Sequence, residues 1–495
     1  PNSFYINGYK TPQHPVKPLE DTAFWSGHVS SFLKPLPLDP LTGKPDLGHE
    51  RHLWDAGEVL KTQVSPLDPL GPAETQRRVY YTQTHFGLLS VVQPGEWPAS
   101  RRLLEPDPSV DPGDPPTQRE KDLWSALGLP PCLLPLPFCV NGNRDETAAI
   151  LDDLYAMKSA TVGETEEEIE YILGDTYHSD PVILGGPSNR SAFLDDRHGY
   201  REFARKHEHR RKVLLVGSND GMLHAFDAGT ASVESGETVR FDEGTGRELF
   251  AYVPRQQVLA TAERVDSTSH VWGVDGGINA ADVYIDPSFD GAPDPDDREW
   301  RTVAVTGLRR GGFGYTALDL THPDELEEVT LPSGEIAFVP SDDDSLPDCA
   351  DQLGNGSLGC DEEVTYAAPL WEYDDTLWLP GPLGESLDED LDALGELVGN
   401  GLPDLADGWS RPNIGRIRIC TGTLCQEDPN GDDDLEDRYV AIFGGGLPEQ
   451  RALWNAAGNF LSIVDIETGR PLGKHFCPRS APGEPAADDP GAAGR

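Results

Sequence analysis

Between residues 213 and 230 the chain alternates short apolar runs with turn residues: Val213-Leu-Leu-Val216, a turn over Asn219-Asp-Gly221, then a second run closing at Asp227. Runs this short, bounded by Gly, Asn and Asp, predict a β-hairpin, with Asn-Asp-Gly supplying the positive-φ positions of its turn. The same order of strand, glycine, loop, strand, aspartate and turn recurs twice. Residues 303–307 lead through LRRGGFG to 315–319, and residues 440–444 lead through a longer insert to 459–465. A strand with proline ahead of it stands before two copies (178–185 and 409–415), and an aromatic strand follows two (249–253 and 370–373). Four short strands per unit is the pattern of a β-propeller blade. Gly217, Gly307 and Gly444 lie further apart than the ~40 to 50 residues of an ordinary blade, so insertions or further blades must separate them.

Taken in order, residues 1–116 hold N-terminal strands, with 27–32 and 78–82 expected to build a first blade. Apolar residues then fall at three- and four-residue spacing in QREKDLWSALG, ETAAILDDLYAMKSA and TEEEIEYILG, which predicts a helical insertion over 117–173. Residues 174–477 read as propeller blades, interrupted by a basic helix over 199–212 and by acidic Pro/Gly-rich loops at 287–298 and 340–363. A short acidic helix is expected from Glu385, and a disordered Ala/Pro/Gly/Asp tail over 478–495. The expected fold class is therefore all-β with helical insertions, a β-propeller of about seven irregular blades in a ring that this stretch need not close.

Charge narrows the partners. With 86 acidic against 39 basic residues and a net charge of −47 in 495 residues, the surface repels phosphate, which argues against a nucleic-acid partner. No apolar run reaches the ~18 to 20 residues that span a bilayer, and the chain opens at Pro1 as a mature or trimmed piece would. The seven cysteines fall as Cys132 with Cys139, Cys349 with Cys360, Cys420 with Cys425, and Cys477 alone. Close pairs on loop-like sequence predict local disulfides and an oxidising compartment.

The best chemical candidate is a calcium loop. Asp428, Asn430, Asp432, Asp434 and Asp437 place oxygen ligands near alternate positions around turn residues, as a hard cation requires. The spacing departs from D-x-D-x-D-G-x-x-D, since Asp433 stands where glycine is wanted and Asp437 comes one residue late. A second acidic group, Asp342, Asp343, Asp344 and Asp348, lies beside Cys349. No G-x-S-x-G, H-E-x-x-H or Walker pattern occurs in the sequence. His224, inside the central hairpin, reads as a structural histidine with satisfied partners.

The segments VGSNDGMLHAFDAGT, AYVPRQ, GLRRGGFGYTALDLTHP, WSRPNIGRI, AIFGGG and IVDIETGRPL, in this order, resemble the C-terminal propeller of the PilY/PilC type IV pilus-tip adhesins. The resemblance runs from about residue 25 to about residue 472. It implies a non-enzymatic adhesin and pilus biogenesis factor, exported through the periplasm to the cell surface at the pilus tip, with minor pilins and a host or abiotic surface ligand as partners. Members of that family carry a calcium loop late in the propeller, but the stretch after IVDIETGRPL reads EPAADDPGAAGR here, so that site is not carried over. The family's von Willebrand factor A-like metal motif, D-x-S-x-S, is absent, as is Arg-Gly-Asp. The hairpin repeats also resemble quinone-cofactor dehydrogenase propellers. The vicinal Cys-Cys on which such enzymes often stack pyrroloquinoline quinone does not occur.

Overall fold

The computed structural model describes chiefly residues 4–9, 26–33, 51–63, 77–82, 101–162, 167–265, 270–287, 294–340, 367–373, 407–420, 435–446 and 460–476, apart from a few positions within them. Three four-stranded antiparallel meanders carry the repeat. The first blade runs Val182–Leu184, Lys212–Gly217, Leu223–Gly229 and Glu248–Val253. The second runs Ile278–Ile285, Glu299–Gly307, Tyr315–Asp319 and Ala368–Tyr373. The third runs Asn413–Cys420, Leu435–Gly444, Phe460–Asp465 and Pro471–Phe476. All three pair their middle strands in one register, with Val213 opposite Asp227, Val303 opposite Asp319 and Val440 opposite Asp465.

In the first two blades these middle strands read as unbroken apolar runs because both faces are covered, whereas in the third Leu461 is exposed and Ile442 and Ile463 are half-buried. In Lys212–Gly217, Val213 and Leu215 pack toward the second blade, while Leu214 and Val216 pack the other way. In Glu299–Gly307, Ala304 faces the first blade and Val303 and Val305 face the third. Each such side chain contributes about 1.5–3 kcal/mol by leaving water, so these blade-to-blade layers form the core. A three-stranded sheet (Phe4–Tyr9, His28–Leu33, His52–Asp55) and the short helix Ala56–Leu60 that follows it cover the outer face of the first blade, placing Val29, Trp54 and Leu60 on Leu214, Val216 and Phe226. With it, four blade-like sheets stand among the described residues against the seven expected for the ring.

Three local expectations are corrected. The pieces at 27–32 and 78–82 do not share a blade: Val79–Thr82 pairs in parallel with Glu248–Val253 at the edge of the first blade, and Arg101–Leu103 extends it. Val79 and Tyr81 lie under helices Gln118–Ala126, Pro137–Tyr155 and Arg255–Val265, so this apolar strand needs cover on both sides and finds it there. Second, TEEEIEYILG forms no helix; Glu167–Tyr171 is a strand paired with Lys158–Val162. Its Glu-Ile-Glu-Tyr alternation has period two, which outweighs the helical spacing. Third, the basic helix spans only Tyr200–His207. Arg210 is 2% exposed and donates to the Gly185 and Thr321 carbonyls and to Thr302 Oγ1, tying the first blade to the second.

The repeated glycines serve close approach. Gly217 and Gly307 do not have positive φ. A Cβ on Gly217 would overlap the Val274 carbonyl oxygen, and one on Gly307 would lie 3.0 Å from the Gly408 carbonyl oxygen. In both cases the contact is the loop entering the next blade, so glycine lets adjacent blades close up. In the Asn-Asp-Gly turn only Gly221 adopts positive φ, at 99°, and Asn219 and Asp220 bond side chains instead. The residues around Glu385, the 340–363 loop, the 478–495 tail, and Cys349, Cys360, Cys425 and Cys477 lie outside the described residues. Cys132 and Cys139 form the expected local disulfide, with Cα atoms 5.8 Å apart.

Candidate functional site

The loops that enter the inner strands of successive blades converge at one end of the sheets, and each brings an aromatic or histidine side chain. From the first come Tyr177 and His178, from the second His270 and Trp272, and from the third Trp409. The His178 and Trp272 rings stack at 5.9 Å, and Trp409 lies 6.4 Å from His178. The 3-10 turn Arg309–Gly311, between the middle strands of the second blade, adds two guanidiniums. Arg309 sits 4.2 Å from the Trp409 ring and Arg310 4.9 Å from the Trp272 ring, within cation–π range. The glycines of LRRGGFG therefore shape a turn that aims two arginines at indoles.

Carboxylates fix these loops from below. Asp275 accepts from the His178 backbone N–H at 3.2 Å and meets its Nδ1 at 2.6 Å. Asp175 holds His270 at 3.0 Å and Asn219 at 2.8 Å, and Asn219 in turn accepts from Gly273 N–H at 2.9 Å. Burial pushes the Asp275 carboxyl up to about 7 although Arg309 pulls the other way. The result is a rigid rim whose half-buried rings and guanidiniums suit recognition of another molecule. No nucleophile paired with a base appears among these loop residues.

Beneath this rim lies a buried chain of charge. His224 Nδ1 meets Glu248 at 2.7 Å and its Nε2 meets Asp220 at 3.1 Å, while Arg77 donates to Glu248 at 2.7 and 3.1 Å. Burial alone would lower the His224 pKa; Asp220 and then Glu248 outweigh it and lift it to about 9. The histidine is thus a charged structural link from the first blade to the segment leading into Val79–Thr82, as the satisfied-histidine reading expects.

The repeated aspartates have one role in all three blades. Asp227, Asp319 and Asp465 each accept the backbone N–H two residues on, from Gly229, Thr321 and Glu467 at 3.3, 3.0 and 2.9 Å. Each also faces an arginine: Arg211 at 3.5 Å, Arg301 at 3.4 Å and Arg438 at 3.4 Å. These arginines stand two residues before Val213, Val303 and Val440, so the repeat begins earlier than its apolar run shows: RKVLLVG, RTVAVTG, RYVAIFG.

Of the proposed calcium ligands, Asp428, Asn430, Asp432 and Asp434 lie outside the described residues, as does the Asp342–Asp348 group. Asp437 lies on the strand Leu435–Gly444, where it accepts from Arg197 at 3.2 Å, from Arg418 at 3.1 Å and from Arg416. Any cation that recruited it would have to displace these guanidiniums. Among the described residues no group of three or more His, Cys, Asp or Glu side chains is placed to hold a metal.

Residues 173–336, which carry the first blade, most of the second and the rim residues from Asp175 to Arg310, match the PilY1 beta-propeller domain. That stretch is PilY1-family propeller. It falls inside the region, 25–472, over which the sequence motifs resemble the family. A type IV pilus biogenesis factor PilY1 homolog of Xylella fastidiosa is 37% identical over 159 residues, covering 31% of this chain and 11% of the relative. The Pseudomonas aeruginosa type IV pilus biogenesis factor PilY1 is 32% identical over 165 residues, covering 32% of this chain and 12% of that protein. The chain thus matches about a tenth of the length of these curated relatives. The crystal structure of the P. aeruginosa PilY1 C-terminal domain overlaps 60% of this chain and 37% of its own, at 20% identity and a TM-score of 0.29. Among the described residues no helix is long and apolar enough to cross a membrane.

Proposed function

We propose that this chain is the non-enzymatic propeller of a type IV pilus biogenesis factor and tip adhesin, displayed outside the cell, where its rim contacts minor pilins and its outer surface contacts a host or abiotic ligand. The carrying observation is the match of residues 173–336 to the PilY1 propeller, which falls on the blades that present the rim. A stacked set of blades gives a stiff frame, and loops held by buried carboxylates offer a preformed contact surface, which lowers the ordering cost of docking. The disulfide between Cys132 and Cys139 fits export into an oxidising compartment.

The test is genetic. Deleting the coding sequence in the source bacterium should remove surface pili, measured as pilin in sheared fractions and as twitching, and the wild-type sequence should restore both. A Trp272→Ala/Trp409→Ala variant that reaches the surface at normal level should restore them poorly. Full piliation in the deletion strain would overturn the reading, and so would dye reduction by the purified protein with pyrroloquinoline quinone and calcium. Calcium dependence belongs to the same proposal, with Asp428, Asn430, Asp432 and Asp434 as ligands. Titration calorimetry on the protein and on an Asp432→Ala/Asp434→Ala variant decides it, because equal binding by both removes this loop.

A further inference from the structure

We propose a binding site for an anionic saccharide at the seam between the second and third blades, away from the rim. A cavity of about 270 Å³ opens there, lined by Arg197, Arg298, Arg416 and Arg418, by Tyr284, Tyr439 and His198, and by the carboxylates of Glu436 and Asp437. Its volume is at the small end for ligand pockets, enough for one sugar ring and too small for a folded segment.

Charge is the first argument. In a chain of net charge −47, three guanidiniums converge on the single carboxylate of Asp437. One carboxylate has about four acceptor positions and each arginine about five donors, so most of their N–H groups remain for a ligand. Arg298 is differently placed, since Glu467 takes it at 2.6 and 2.9 Å and Glu436 takes it too. Arg197 also meets Asp195 at 3.3 Å, so the surplus sits chiefly on Arg416 and Arg418. Arg416 and Arg418 stand two apart on one strand, opposite Tyr439 and Asp437 in register, so they point the same way.

Shape is the second. His198 lies in the left-handed region at φ 47°, ψ 37°, as does Asp196 at φ 49°. Such a backbone costs about 1–2 kcal/mol for a residue with a side chain, and here it brings the imidazole flat onto Tyr284, at 4.1 Å and 7° between planes. Burial, and then Arg197, hold the His198 pKa below its ordinary value, so the ring stays neutral among the arginines. An apolar ring surface beside guanidinium forks matches a pyranose whose C–H face rests on the aromatic pair and whose carboxylate or sulfate enters the forks. A bare inorganic anion would leave the aromatic wall unused.

The experiment titrates the purified chain, by calorimetry and saturation-transfer NMR, with oligogalacturonate, a sulfated heparin tetrasaccharide, neutral maltotetraose, sodium sulfate and poly-glutamate. At least one acidic saccharide should bind at about 1 mM or tighter, with the neutral sugar about tenfold weaker or worse. The uronate and sulfated arms decide which acid group is preferred. Arg416→Gln/Arg418→Gln should weaken saccharide binding about tenfold or more while leaving the unfolding midpoint unchanged, because both side chains are well exposed, 35% and 53%. Arg418→Gln alone guards against a folding defect in the double variant. Equal binding of maltotetraose, tighter binding of poly-glutamate or sulfate alone, unchanged binding by both variants, or no saccharide binding at about 10 mM would each overturn the proposal.

Discussion

The pH dependence of stability should report the buried charge chain at His224. Its imidazolium lies between Asp220 and Glu248 with no exposure to solvent. The folded-state pKa is about 9 against an ordinary value of 6.5. A group whose pKa is raised by folding stabilises the fold fully below its unfolded value, and that contribution is lost as pH rises through the folded value. The difference, at 1.36 kcal/mol for each pKa unit, amounts to about 3 kcal/mol. Urea unfolding measured from about pH 6 to about pH 10 should show stability falling across this window and levelling above it, with a slope near 1.4 kcal/mol per pH unit at its steepest. In His224→Gln the slope above about pH 8 should vanish, leaving at the acid end the fall due to Asp275, whose carboxyl burial pushes up to about 7. The variant should also start about 3 kcal/mol less stable at neutral pH, since Asp220 and Glu248 lose their shared cation. A wild-type curve flat over that interval, or an equal slope in the variant, would refute the assignment of charge to this imidazole.

Other perturbations test the repeat. Asp319→Ala removes the acceptor of the Thr321 N–H and one partner of Arg301, itself only 5% exposed, and should cost about 3 kcal/mol in urea unfolding, against which a loss under about 1 kcal/mol would count. Gly217→Ala should cost about 2 kcal/mol or more by pressing on the Val274 carbonyl, whereas Gly113→Ala, at φ 106° with open space around it, should cost only about 1 kcal/mol. Trp371→Phe loses the bond from its indole N–H to the Ile466 carbonyl at 3.1 Å, between the second and third blades, and should lower stability by about 1 kcal/mol on the same measurement.

The blades were legible because their middle strands are buried, on both faces in the first two and chiefly on one in the third, so that VLLVG, VAVTG and VAIFG stand out as short apolar runs closed by glycine. The aspartate ending the partner strand was also visible, and the structure supplies its reason as a turn acceptor. The paired arginine was missed, although its position two residues ahead of each repeated valine could have been counted. Long-range placement was not legible. Residues 78–82 look like any apolar strand, and only the exposed edge of Glu248–Val253 tells where they dock. Nothing in the spacing of His178, Trp272 and Trp409 shows that these three rings meet, because each belongs to a different blade. The Asp437 carboxylate looked like a cation ligand in the sequence because Arg197, which helps to occupy it, is distant in the chain.

The wide spacing of the repeated glycines follows from where the first two blades take up extra sequence. In the first, the hairpin Ala231–Glu234 with Thr238–Phe241 is inserted between the third and fourth strands; in the second, the hairpin Leu326–Thr330 with Ile336–Pro340 is inserted at the same place. Those connections leave the sheet at the end opposite the rim, since the third strand of each blade runs away from the loop that holds Gly221 or Arg309. At the rim itself the hairpin loops between second and third strands, 218–222 and 308–314, are short, and there a Cβ has no room at Gly217 or Gly311. The middle hairpin loops of these two blades are therefore sterically confined, while the connections at the opposite end are free to lengthen. If the rim is a fixed docking surface, lengthening the 308–314 loop by two residues should abolish pilus assembly, while trimming the 231–241 hairpin to a tight turn should leave it intact. The reverse result would move the functional surface to the inserted hairpins.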